Sequence, residues 1–154
     1  MQKVISLAAL TLALAVAGNA AAAELTPEEQ ILTRQAGYSF MSWNMGKIKA
    51  NLEGDFSQQQ VAAAADAIAG IANSGMGALY GPGTAKDIGD VKTRVKPELF
   101  TEQEEVGKVA RNFIQAANSM AEAAAMAEGK GDVKDAFTKL GESCKACHDK
   151  FRKD

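Results

Sequence analysis

Both cysteines of this chain and its only histidine fall within five consecutive residues, Cys144-Lys145-Ala146-Cys147-His148, close to the C-terminus. Two cysteines this close cannot staple distant parts of a fold, so the chain has to stand on its hydrophobic core. Its 154 residues suffice for one domain with one sizeable core. Ala, Met, Glu, Lys and Gln dominate and β-branched runs are missing, which predicts an all-α fold.

The N-terminus reads as an export signal rather than as part of that fold. Lys3 is the only charge ahead of an apolar run from Val4 to Ala17, and Gly18, Asn19 and Ala20 to Ala23 supply the small residues of a cleavage site. The run is shorter than the roughly 20 residues a membrane span needs. Residues 1–22 are therefore expected to be a secretory signal, to within two residues, and 23–154 the mature domain, with no membrane insertion after cleavage. Without Lys3 the charge balance is 16 basic to 19 acidic residues, mixed along the chain. That lacks the basic footprint of a nucleic-acid or anionic-membrane binder.

Four amphipathic helices can be read in the mature part, and short connections between long helices predict an antiparallel, up-down-up-down four-helix bundle. Thr26-Pro27-Glu28-Glu29 opens the first with an N-cap, a first-turn proline and a capping box. Its inward stripe is Ile31, Arg34 or Gln35, Tyr38, Met41, Met45, Ile48 and Leu52, with Gly54 as the stop. Ser57 and Gln60 open the second, which carries Val61, Ala65, Ile68, Ala72, Met76 and Leu79 up to Gly81-Pro82-Gly83. A long connection follows to Phe100, after which Thr101 and Glu104 are expected to cap a third helix with Val106, Ala110, Phe113, Ala117, Met120 and Ala124 inward. Asp132 is expected to open the fourth, with Val133, Phe137, Leu140, Cys144, His148 and Phe151 inward. Met45, Met76, Phe113, Met120 and Phe137 on these stripes read as ordinary core.

Cys144-Lys145-Ala146-Cys147-His148 has the spacing of a c-type haem attachment site. On a helix, positions i and i+3 lie on one face, so both thiols can reach the two vinyl groups on one porphyrin edge. His148, at i+4 from Cys144, points over the same face and can reach the iron. A thioredoxin-like redox pair would instead sit at a helix N-terminus after a strand, and a zinc site would need four ligands. An export signal and haem attachment outside the cytoplasm agree with one another.

A haem iron held by one histidine needs a sixth ligand or an empty position. In an antiparallel bundle, His148 should stand level with about residues 31 to 38 of the first helix, counting roughly 1.5 Å per residue. The inward residue at that level is Tyr38, while Met41 and Met45 lie one and two turns deeper. A phenol ligates iron only when ionised, and its ordinary pKa is near 10. The expectation is a five-coordinate iron with Tyr38 packed above it.

Taken together, the mature chain resembles the cytochrome c′ family. The resemblance rests on Arg34-Gln35 early in the first helix, Tyr38, Gly81-Pro82-Gly83, and the Cys144-to-His148 motif followed by Phe151-Arg152. It implies one covalent haem c in a four-helix bundle, a homodimer packed through helices one and two, and a periplasmic location. It implies a high-spin, five-coordinate iron binding nitric oxide and carbon monoxide, since low-spin relatives carry Met at the position of Tyr38. It also implies that Arg34 and Gln35 contact the haem, Arg34 through a propionate, in keeping with guanidinium–carboxylate chemistry. Arg152, at i+4 from His148, either lies near the proximal face or is a solvated last-turn cation. The loop from Gly83 to Phe100 is expected to close over a haem edge.

Three functions compete: a gas-binding haem protein, a dedicated electron carrier with a periplasmic redox partner, and an enzyme. A carrier prefers six-coordinate iron. Peroxidase chemistry needs a distal acid–base group, and no histidine is left to serve as one. The reading is a non-enzymatic, gas-binding cytochrome also capable of electron transfer.

Overall fold

The structure, a computed structural model, describes residues 24–154; the expected signal at 1–22 lies outside them. Four helices follow in order, α1 (Pro27–Glu53), α2 (Gln58–Ala72), α3 (Gln103–Ala125) and α4 (Lys130–Phe151), with no strand among the described residues. The capping box at the start of α1 forms as its sequence predicts: the Thr26 hydroxyl accepts from Glu29 N–H at 3.2 Å, and the Glu29 carboxylate accepts from Thr26 N–H at 2.8 Å. Ser57 caps α2.

Sequential neighbours pack against one another, α1 on α2, α2 on α3 and α3 on α4, whereas α1 and α4 meet only sparsely. The bundle is thus closed on three seams and loose on the fourth. Its core is the stack of Ile48, Val61, Ile68, Ala117, Met120, Val133 and Leu140, all essentially inaccessible to solvent. Burying each of the larger side chains contributes about 1.5–3 kcal/mol. A smaller second core sits at the end of the bundle where α4 finishes. There Leu99, Val109 and Phe151 gather Tyr80, Val95, Phe100, Val106 and Cys147 around them.

Several expected details differ. Met76 and Leu79 do not extend α2, which stops at Ala72; they form a separate 3₁₀ turn, Met76–Leu79. Gly75 enters that turn at φ 82°, a left-handed conformation that breaks the helix. Thr101 does not cap α3, because its hydroxyl donates to the Glu98 carbonyl at the end of a second 3₁₀ turn, Pro97–Phe100. Asp132 lies inside the first turn of α4 rather than before it, where its carboxylate accepts from the N–H groups of Glu128 and Gly129. On α3 Val109 is buried and Ala110 exposed, so the inward face is rotated by one position at that end. Asn44 and Asn51 of α1 are buried polar residues on a face expected to be apolar, each donating to a carbonyl one turn back.

The long connection between α2 and α3 is ordered by hydrogen bonds. Asp87 accepts from Thr93 N–H at 2.9 Å, Ile88 pairs with Val91, and the stretch Arg94–Lys96 pairs with the chain's C-terminus through Lys96 N–H to Phe151 O and Lys153 N–H to Arg94 O. The loop is therefore stitched to the end of α4.

Candidate haem site

Of the residues singled out in the sequence, Tyr38 of α1 comes near Cys147 of α4 across the loose seam, while Arg34 and Gln35 turn to the α2–α3 connection. Cys144 and Cys147 sit one turn apart on α4, both half-buried, and His148 follows on its last turn, exposed. Burial pushes both thiols up from their ordinary value, the opposite of what a redox-active pair at a helix N-terminus needs. Among the described residues no group of histidine, cysteine and carboxylates could hold a bare metal ion.

Across the seam, Tyr38 projects from α1 and is 40% exposed, unusual for a tyrosine on a helix's inward stripe. Its hydroxyl accepts a hydrogen bond from the Tyr80 hydroxyl at 3.0 Å. Although part of the residue is open to solvent, desolvation of its hydroxyl and the neighbouring Tyr80 push the Tyr38 phenol above its ordinary value, and Cys147 adds to the effect.

Arg34 lies one turn before Tyr38 and is only 2% exposed. Its guanidinium donates to the carbonyls of Leu79 (2.9 Å) and Thr84 (2.8 Å) and to the Thr93 hydroxyl (2.9 Å), and it stacks over the Tyr80 ring at 4.4 Å. Three of its five N–H donors are thus engaged, leaving two for another acceptor. Gln35 is exposed and donates to the Lys92 carbonyl at 2.6 Å. Together Arg34 and Gln35 bind the α2–α3 connection to the start of α1. Gln30 adds to this by accepting from Gly81 N–H at 3.0 Å, and a Cβ at Gly81 would come within 2.7 Å of that same Gln30 oxygen.

Arg152 leaves the helix in an extended conformation, and its Nη1 lies 3.2 Å from His148 Nδ1. Arginine has donors only, so Nδ1 is the acceptor here. Lys145–Asp149 and Lys150–Glu105 ion pairs flank this end of α4 on its solvent side.

Tyr80 was not singled out by the sequence. Its signal was available: an aromatic immediately before Gly81-Pro82-Gly83, where a turn fixes its direction. The donor set fits a c-type haem. Two thiols share one helix face, an exposed imidazole stands beside them, and the seam they border is the loosely packed one.

Comparisons with known proteins agree. The family model described as Cytochrome C' matches residues 29–152. A cytochrome c′ of Allochromatium vinosum is 64% identical over 147 residues, covering 96% of this chain and 95% of the relative. The crystal structure of cytochrome c′ from Thermochromatium tepidum superposes with a TM-score of 0.83 at 64% identity, covering 86% of this chain and all of that one. A second cytochrome c′ structure, described as having a ligand-controlled dimer dissociation, gives 0.83 at 65% identity over 84% of this chain and 98% of its own. The chain belongs to the cytochrome c′ family and is a c-type haem protein, with Cys144 and Cys147 its only cysteines for covalent attachment.

Proposed function

We propose that this protein is an exported, periplasmic cytochrome c′ whose five-coordinate, high-spin haem binds nitric oxide and carbon monoxide. What supports this reading is that Tyr38 comes near Cys147 and bonds to Tyr80, so the residue of α1 nearest the attachment motif is a tyrosine rather than the methionine of a low-spin relative. When bound, haem supplies an iron that takes diatomic gases and an electron. Cys144 and Cys147 would hold the porphyrin edge and His148 the iron. Arg34 has two free donors for a propionate, and Gln35 lies beside it. Iron at Nε2 of His148 requires the proton on Nδ1, so Arg152 has to turn away from that nitrogen. The Alcaligenes xylosoxidans cytochrome c′, 25% identical with a TM-score of 0.71, has been solved as variants in complex with carbon monoxide and with nitric oxide.

An optical spectrum of the reduced protein with and without carbon monoxide tests the reading. A high-spin spectrum that changes on adding the gas is expected. A low-spin spectrum indifferent to it would instead favour a dedicated electron carrier. No enzymatic role is proposed: this reading assigns the chain's one histidine to the iron, which leaves no second histidine as a distal acid–base group.

Attachment through both thiols predicts that wild-type haem survives extraction with acidified organic solvent. In the Cys144→Ala/Cys147→Ala variant it should be released. Release from the wild type as well would remove the covalent assignment.

The proposed homodimer uses helices α1 and α2. On the outer side of α1, Phe40 (49% exposed) and Trp43 (58%) form a tilted ring pair 5.5 Å apart, with Leu32 further along the helix. An apolar stripe of this kind suits burial against a second copy. Sedimentation at micromolar concentration should give a dimer, and Trp43→Glu should shift it towards monomer. A wild-type monomer would rule the interface out.

A further inference from the structure

We propose that Tyr80 is a positioning residue that holds Tyr38 over the haem and so sets the affinity for gaseous ligands; the proposal rests on Tyr38 standing at the distal face. The two hydroxyls are 3.0 Å apart and join α1 to the segment after the Met76–Leu79 turn.

The two tyrosines are held very differently. Tyr80 is gripped from several sides. Arg34, itself almost fully buried, stacks on its ring at 4.4 Å, and the Phe100 ring lies 6.4 Å away, tilted by 58°. The backbone on both sides is pinned, with Leu79 O accepting from Arg34 and Gly81 N–H donating to Gln30. Tyr38 has no comparable hold on its tip: its hydroxyl has one protein partner, Tyr80, and the residue is 40% exposed. Of the pair, Tyr38 is therefore the side chain free to swing and Tyr80 the fixed post. To leave room for a diatomic ligand Tyr38 has to give up that hydrogen bond along with its packing. On this proposal the bond is made only in the gas-free protein, so whatever it contributes is subtracted from gas binding.

Tyr80→Phe tests this in the haem-loaded protein, because it deletes the hydroxyl and keeps the ring between Arg34 and Phe100. Losing one neutral hydrogen bond from the gas-free state should tighten carbon monoxide binding about two- to tenfold. Tyr38→Phe should tighten it equally, and the double variant no further, since both remove the same bond. Urea unfolding gives a readout independent of gas affinity. Tyr80→Phe should lower the midpoint of the gas-free protein and leave that of the carbon monoxide-saturated protein unchanged.

Failure of the latch and failure of the site are separable through Tyr38→Ala. If that variant binds carbon monoxide more tightly while Tyr80→Phe changes nothing, or if the two Phe effects add, Tyr80 is not the latch. If Tyr38→Ala itself leaves affinity unchanged, Tyr38 is not over the iron and both statements fall.

Discussion

Arg34→Met should destabilise the folded protein by on the order of 3–5 kcal/mol, read as a shift in the urea midpoint. A surface cation on the first turns of a helix would cost about 0.5 kcal/mol or less when replaced. Arg34 differs because its guanidinium is 2% exposed and answers three oxygens at once, Leu79 O, Thr84 O and Thr93 Oγ1. Methionine fills part of the volume but takes the Arg34 donor from all three, leaving Thr93 Oγ1 only the long bond from Val95 N–H. Thr84 and Thr93 are themselves buried, so water does not readily replace it. Burial lowers the pKa of the guanidinium, but arginine stays protonated in proteins, so the charge and its donors are kept. Arg34→Lys should recover only part of the loss: an ammonium is a point charge and cannot span acceptors held by a planar fork. A loss below 1 kcal/mol for Arg34→Met would mean that the connection between α2 and α3 holds itself together without α1.

Arg34 also shows where sequence reading stops. Its place on the inward stripe of α1 was legible only as Arg34 or Gln35; the structure buries Arg34 beside Ile31 and Met41 and leaves Gln35 exposed. What it does there was not, because its partners lie 45, 50 and 59 positions further along the chain. No local pattern announces contacts made by tertiary folding. The same holds for Tyr80, whose meaning depends on Tyr38 lying 42 positions before it. Buried Asn44 and Asn51 were likewise invisible as polar members of an apolar face; the helix accommodates them by letting each bond its own backbone.

The features that were legible are those set by short-range geometry. The four helices and the capping box at Thr26 follow from periodicity and end signals. The placement of Cys144, Cys147 and His148 on one stretch of α4 follows from spacing alone. Rise per residue in an antiparallel bundle leads to the expectation that Tyr38 stands opposite that stretch, and Cys147 is among the groups near its phenol. Helix ends proved harder. Thr101 and Asp132 both carry capping chemistry, and both are used, but one turn away from the expected place because 3₁₀ geometry and an earlier helix start intervene.

Tyr38→Ala should bind carbon monoxide roughly tenfold to more than a hundredfold more tightly than the wild type. A gas ligand has to displace the ring, which costs packing contacts of about 1–3 kcal/mol, and each 1.4 kcal/mol is a factor of ten. Alanine removes both the obstacle and the bond to Tyr80, so its effect should exceed that of Tyr80→Phe. The variant should also lose some stability, because the packing of the ring and its hydrogen bond to Tyr80 go with it. Tyr38→Met makes a sharper comparison. A thioether needs no proton removed before it can ligate iron, whereas the Tyr38 phenol is held far above its ordinary value by burial and by Tyr80. Met at 38 should therefore draw the spectrum towards low spin and weaken carbon monoxide binding, the opposite of alanine. Two substitutions at one position moving affinity in opposite directions would identify that position as the distal gate. An unchanged affinity in Tyr38→Ala would mean that the register between α1 and α4 does not bring Tyr38 to the iron.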